Sequence, residues 1–272
     1  MTIFTIPKPF RGHVGIIQRN AIQSWLKLLP KPEIILFGND EGVAEVAEEF
    51  GILHIPEIKK NEFDTPLLNS AFSTVKKTAK NEVLVYVNSD IILMSDFIPA
   101  VKKINLDLFL MNGRRRDIDI EKPIDFNNVN WEKKISEEIK NRGVLHGYSG
   151  IDYFIFPKNL PCDLPDFAVG RPGWDNWFIY RIKSMKIPVI DATAAITAVH
   201  QNHKSIYKNK IEENRKNLDL TGGFSKICTL READLILTKD GLKKPPFPRI
   251  IFGKLALFYP WRQLLSIKRK LL

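Results

Sequence analysis

Short apolar runs alternate with longer stretches of helical spacing through the first third of the chain. Thr2 to Ile6 is a β-rich run. From Ile16 to Leu29 the residues Ile17, Ala21, Ile22, Trp25, Leu28 and Leu29 recur every third or fourth position, which predicts a helix. Glu33 to Phe37 predicts a buried strand that stops at the turn residues Gly38-Asn39-Asp40. Val43 to Phe50 predicts a short helix, with Gly51 where a left-handed residue commonly ends one. Ile52 to Ile55 predicts a third strand, Leu67 to Ala79 a third helix, and Val83 to Val87 a fourth strand. That last run is apolar at every position, as in a parallel sheet covered on both faces.

Repeated strand–helix units predict a doubly wound α/β half. Ligands in such sheets bind beyond the carboxyl ends of the strands. The segments to inspect are therefore Pro7–Arg11, Asn39–Glu41, Glu57–Asp64 and Asn88–Asp90. The rest of the chain is less regular. Leu106 to Met111 predicts a strand leading into Asn112-Gly113-Arg114-Arg115-Arg116, and Trp131 to Lys140 an exposed helix. Tyr153 to Phe156 predicts a strand after the turn-rich Gly147-Tyr148-Ser149-Gly150; Asp175 to Met185 predicts a helix and Val189-Ile190 a short strand.

Asn88-Ser89-Asp90 is the strongest chemical signal, because an apolar strand delivers it and Ile91-Ile92-Leu93 resumes after it. Mg²⁺ and Mn²⁺ favour carboxylate oxygen, taking one or two protein carboxylates beside phosphate oxygens. The same triplet also suits an ordinary turn satisfying its own backbone. Four further features follow in order: Asp40 (or Glu41) after the second strand, Asn61 with Asn69-Ser70-Ala71 around the third helix, Gly173-Trp174-Asp175-Asn176 heading a later helix, and Val199-His200-Gln201-Asn202-His203 beyond it.

With the order of elements, these motifs resemble glycosyltransferases of the GT-A fold, broadly the family-2-like group, over about residues 1–205. The resemblance implies a central mixed, mostly parallel sheet flanked by helices, and transfer of a sugar from a nucleotide-diphosphate donor such as a UDP- or GDP-sugar to a hydroxyl acceptor, with inversion. It implies a domain over 1–242, divided into a nucleotide-binding half at about 1–112 and an acceptor half at about 113–242. Asp40 would meet the nucleoside, Asn61 and Asn69 would line the donor, and Asn88, Ser89 and Asp90 would face its diphosphate. Pro7 and Arg11, after the first strand, would border the same donor. Asp90 and His200, with His203 as the second choice, would hold Mn²⁺ or Mg²⁺, and Asp175 would be the general base, with Asp152 its competitor. Asn88 stands where the family has aspartate, and an amide brings no charge. The basic residue of the family's third-helix motif is missing too, with Leu67 and Leu68 nearby instead. Cation support at the diphosphate then falls to Arg11 or to Arg114–Arg116.

Other polar and aromatic residues carry less. His13 and His54 are expected to be structural, and His146 to line the acceptor site or stay structural. Trp131, Trp174 and Trp177 are more often core than sugar platforms. Cys162 and Cys228 match no zinc or redox spacing and are expected to be reduced.

Charge sharpens the picture at one end. Among 272 residues, 44% of them hydrophobic, the net charge is +10. Eight basic residues and no acidic one lie between Lys243 and Leu272, after the stiff Lys-Lys-Pro-Pro-Phe-Pro break. Arg249–Leu272 interleaves these cations with Ile250, Phe252, Tyr259 and Trp261, so it is expected either to lie on an anionic membrane surface or to pack back on the domain. No run reaches the ~18 apolar residues of a spanning helix, and Met1–Thr5 runs into Pro7 and Pro9 with no basic lead. A cytoplasmic location, peripheral at the inner face of the membrane, and a glycan or lipid-linked acceptor are the expectation. Nucleic acid is not an expected partner, since the excess charge sits in an apolar-rich tail.

Two other classes compete. A nucleotidyltransferase shares a related layout, but Pro7-Lys8-Pro9-Phe10-Arg11-Gly12 has no glycine cluster. A non-catalytic, membrane-associated carbohydrate-binding protein would be consistent with Asn88. Dinucleotide, P-loop and zinc-protease motifs are absent.

Overall fold

Strands that are apolar without alternation need cover on both faces, and the computed structural model shows both covers. It describes residues 1–203 and 211–246; the tail at 249–272 lies outside the described residues. The elements in chain order begin β1 (Thr2–Thr5), α1 (Gly12–Leu26), β2 (Glu33–Phe37), α2 (Val43–Phe50), β3 (Leu53–Ile55), α3 (Leu68–Thr78), β4 (Val83–Val87), β5 (Ile91–Leu93) and α4 (Phe97–Val101). They continue as β6 (Leu110–Asn112), β7 (Arg116–Ile118), α5 (Trp131–Arg142), β8 (Val144–Leu145), β9 (Tyr153–Pro157), α6 (Trp174–Ser184), β10 (Val189–Asp191), β11 (Ala198–Gln201), α7 (Ile211–Leu220), β12 (Leu235–Thr238) and β13 (Gly241–Lys243).

Among the described residues one sheet runs β13-β12-β10-β6-β9-β4-β1-β2-β3. β1 is parallel to β2 and β4, β2 to β3, and β10 to β6 and β12; β9 is antiparallel between β4 and β6. This is the mixed, mostly parallel sheet that was expected. Alternate residues of each central strand enter opposite cores. Phe4, Phe37, Tyr86, Phe154 and Phe156 meet Phe72 of α3 and Phe178 of α6 on one face. Ile3, Leu36, Val85 and Ile155 meet Ala21, Ile22 and Trp25 of α1 and Val46 of α2 on the other. The first core is largely aromatic: Phe72 stacks on Phe156 at 5.4 Å, and Trp174 packs at 4.8 Å from Phe154. Trp174 and Trp177 therefore belong to this core, and Trp131 packs on Phe126 at 4.8 Å.

A second, smaller sheet runs β5-β11-β7-β8, and it positions the candidate chemistry. β11 is antiparallel to β5 and parallel to β7, so His200 lies opposite Ile91 on one side and Asp117 on the other. His200 is therefore held on a strand. Strand β6 begins at Leu110, four residues later than expected, and α1 begins at Gly12, four residues earlier. That first turn packs tightly, since a Cβ on Gly15 would stand 2.8 Å from the Phe10 carbonyl oxygen.

Helix α1 buries polar residues as well as apolar ones, and they join the two sheets. Trp25 Nε1 donates to the Ile91 carbonyl at 2.9 Å, and Ser24 Oγ accepts from Leu93 N at 3.1 Å. Gln201, fully buried, donates to the carbonyls of Ile17 at 2.7 Å and Asp90 at 3.1 Å and accepts from Asn20 Nδ2 at 3.0 Å. Buried polar groups are costly once a partner is removed. Gln201→Leu should lower unfolding stability by about 2–4 kcal/mol, read as a shift of the urea midpoint.

Candidate active site

Each residue of Asn88-Ser89-Asp90 is held by a different part of the fold. The Asn88 backbone N–H donates to the Asp152 carbonyl at 2.8 Å. Its side-chain amide donates to Asp152 Oδ1 at 2.7 Å. Ser89 Oγ donates to Gln18 Oε1 at 2.6 Å. Gln18 also brackets Lys8, accepting from Lys8 N and donating to Lys8 O, both at 2.8 Å. The loop after β1 and the loop after β4 are thus tied through one buried amide of α1.

Asp90 meets the histidine segment. Its Oδ2 lies 3.1 Å from His203 Nε2 and 3.3 Å from Lys8 Nζ. His200 completes a group whose three ligand-type atoms all lie within 4.8 Å of one another. Asp90 is 6% exposed, and its Oδ1 is buried with no hydrogen-bond partner among the described residues. Burial alone would raise the Asp90 pKa. The His203 hydrogen bond and the charges of Lys8, His200 and His203 outweigh it and hold the carboxyl far below the usual range. Burial pushes His200 the other way, helped by Arg115, so its imidazole favours the neutral form a metal ligand needs.

Behind this group lies a row of charges. Asp117 takes His146 Nδ1 at 2.7 Å and Arg115 Nε at 2.8 Å. It also stands 3.1 Å from His200 Nδ1, a close contact not aligned as a hydrogen bond. Arg115 reaches across to Asp152 Oδ2 at 2.5 Å. Burial would raise the Asp117 pKa, but His146 and Arg115 bring it down. Asp175 occupies the first turn of α6. The residue retains some exposure, yet burial of its carboxyl, reinforced by the charge of Asp152, raises its pKa to about 7 against backbone hydrogen bonds at Asn176, Asp175 and Ile151.

No protein-family model and no curated protein matches the sequence. Solved structures do. A mannosyltransferase from Pyrobaculum calidifontis, in complex with GDP-Man and Mn²⁺, is 16% identical and aligns over 96% of this chain and 71% of its own, with a TM-score of 0.51. The chain has the GT-A fold. Glucosyl-3-phosphoglycerate synthase from Mycobacterium tuberculosis, with Mn²⁺, UDP and phosphoglyceric acid, is 15% identical over 81% of this chain and 76% of its own, at 0.47. S. aureus TarS 1–349, with UDP-GlcNAc, is 12% identical over 81% of this chain and 66% of its own, at 0.49. At such identities the likeness is one of fold.

On the GT-A scaffold the remaining candidates separate into groups. Pro7 is buried at the end of β1, and Asp40 is half-buried where its carbonyl accepts from Val43 N at 3.1 Å. Arg11 is exposed and paired with Glu41. Arg11, His13, Asp119 and His203 line an open groove of about 860 Å³. Asn61 and Asn69 are not joined to the Asp90 group by any bond. Asn61 caps its own loop, accepting from Phe63 N and Thr65 N at 3.0 Å, and donates to Glu213 at 2.9 Å; Asn69 donates to Asp166 at 2.5 Å. Arg114 donates to the His146 carbonyl at 2.6 Å and lies 4.3 Å over the Tyr148 ring, so Arg115 is the arginine nearest the acidic row. His13 and His54 bond carbonyls, of Ile120 and Gly38, as structural histidines do.

Sequence reasoning passed over Lys8 and Asp117. Lys8 lay inside an inspected segment, but its role depends on reaching Asp90, 82 residues away. Asp117 follows the arginine cluster on a three-residue strand too short for periodicity to show.

The raised Asp175 pKa carries a stability prediction. The folded protein holds this proton between about pH 4 and pH 7 while the unfolded chain has released it, so the contribution present below pH 4 is lost as pH rises toward 7. Asp175→Asn removes the titration. Relative to wild type, the variant should gain about 1–4 kcal/mol between pH 4 and pH 8, measured as the difference in unfolding midpoints.

Proposed function

We propose that the protein is a glycosyltransferase that moves a sugar from a nucleotide-diphosphate donor to a hydroxyl acceptor, with a divalent cation at Asp90, His200 and His203. The observation that carries this reading is the convergence of those three groups, at the end of β4 in a GT-A fold, around a buried carboxylate with one unpartnered oxygen. Neutral imidazole and ionised carboxylate are the ligand forms such an ion requires, and they are favoured at His200 and Asp90 respectively. Two nitrogen donors with one oxygen suit Mn²⁺ better than oxygen-seeking Mg²⁺. When bound, the cation supplies neutralisation of the charge that develops on the departing nucleoside diphosphate.

The chain's own residues do the rest. Asn88, fixed by Asp152, places an uncharged amide at the triplet's first position. Gln18 holds the Ser89 hydroxyl and the Lys8 backbone so that the donor meets a rigid rim. Pro7, Arg11 and Asp40 border the donor side of that rim. Asp175 takes the proton of the acceptor hydroxyl as its oxygen attacks the anomeric carbon. A base with a pKa near the working pH is suited to this, being ionised in part yet basic enough to accept the proton. A single base of this kind supports inversion.

A screen of UDP- and GDP-sugars should find one whose transfer or hydrolysis is stimulated by Mn²⁺. Asp90→Ala should abolish both that stimulation and Mn²⁺ binding by calorimetry. Asp175→Asn should lower kcat by about 10²- to 10⁴-fold with donor affinity retained; full transfer by this variant would remove Asp175 from the mechanism. The basic, apolar-rich segment Arg249–Leu272 supports action at an anionic membrane surface. The full chain should sediment with phosphatidylglycerol vesicles and be released as salt rises, and salt-insensitive failure to sediment would sink the membrane assignment.

A further inference from the structure

Among the described residues, Lys8 is a cation that touches two of the three proposed ligands. Its ammonium lies 3.3 Å from Asp90 Oδ2 and 3.3 Å from His203 Nε2, and those two atoms are 3.1 Å apart. A divalent ion bonds carboxylate oxygen at about 2.0–2.2 Å, so through either oxygen it would share the Asp90 carboxylate with the Lys8 ammonium. An ammonium and a divalent cation on one buried carboxylate repel each other strongly. One of them has to move.

The fold decides which part of Lys8 can. Its backbone N–H and carbonyl are both bonded at 2.8 Å to the side chain of Gln18, itself 1% exposed and tied to Ser89. The main chain is therefore pinned beside the triplet. The four-carbon side chain, with side-chain exposure of 19%, is the movable element. Displaced from Asp90 while its Cα stays fixed, the ammonium remains within a side-chain length of the same strand ends, where the donor's diphosphate lies in the proposed reaction.

We propose that Lys8 is a donor-binding residue with two positions: it pairs with the Asp90 carboxylate, against His203, before the divalent cation arrives, then turns to the nucleoside diphosphate. The inference rests on the metal reading above. It supplies the cation support missing from the third helix, which sequence motifs had left between Arg11 and Arg114–Arg116. It also makes the two ligands cooperative. The cation alone must displace Lys8 from an ion pair, whereas with the diphosphate present the displaced ammonium gains a new anionic partner.

The test is Mn²⁺ titration of the full chain by calorimetry, with and without UDP or GDP, for wild type, Lys8→Met and Lys8→Arg. Lys8→Met should bind Mn²⁺ alone about tenfold more tightly than wild type and lose most of the enhancement that the nucleotide brings. Lys8→Arg, which keeps the charge, should restore the weaker binding. Mn²⁺ binding by Lys8→Met but not by wild type would also support the exchange. Unchanged or weaker Mn²⁺ affinity in a folded Lys8→Met, with wild type binding normally, overturns this inference and leaves the metal reading standing. Absence of Mn²⁺ binding in wild type and Lys8→Met alike overturns both.

Discussion

Burying the Asp90 carboxylate is the constraint around which this part of the molecule is arranged. An ionised carboxylate taken out of water costs several kcal/mol unless charges and donors replace its hydration. Here Lys8, His200 and His203 supply that replacement from the loop after β1, from β11 and from the segment just after it. These positions are far apart in sequence, so the charge is stable only when both sheets are assembled. The polar residues of α1 enforce that assembly: Gln18 ties Ser89 to Lys8, while Asn20 donates to Gln201 of β11, which in turn holds the Asp90 carbonyl.

Two carboxylates on this scaffold are driven in opposite directions by their surroundings. Asp90 is buried against Lys8 and the hydrogen bond of His203 and stays ionised; Asp175 is buried near the charge of Asp152 and is raised to about 7. In the proposed reaction this divergence would separate roles, Asp90 holding charge and Asp175 exchanging a proton. Asp152 connects them, because it raises Asp175 while its own charge is balanced by Arg115 and by the Asn88 amide. Asn88 has thereby a structural reason: an aspartate there would face Asp152 at hydrogen-bond distance with like charge.

Much of the sheet was legible in the chain. β2, α2 and β4 run over the spans that their patterns predicted, because continuous apolar runs and the left-handed Gly51 are local signals. Of the small sheet only the Ile91–Leu93 run of β5 was legible. β5, β7, β8 and β11 are two to four residues long, and their pairing depends on partners up to about a hundred residues away. The buried polar face of α1 also escaped notice, since Gln18, Asn20 and Ser24 look like solvent-facing residues until β5 and β11 cover them.

For the candidate site, the chain by itself determined the location of Asp90 just after a strand and of Asp175 at a helix start, because strand ends and helix starts follow from local hydrophobic pattern. Tertiary structure alone decided which groups meet. It turned Asn61 to Glu213 and Asn69 to Asp166, moved the nearest guanidinium from Arg114 to Arg115, and added Lys8 and Asp117. The reason is physical: ion pairing and pKa depend on distances of a few ångströms between side chains, and those distances are set by the crossing of two sheets rather than by spacing along the chain.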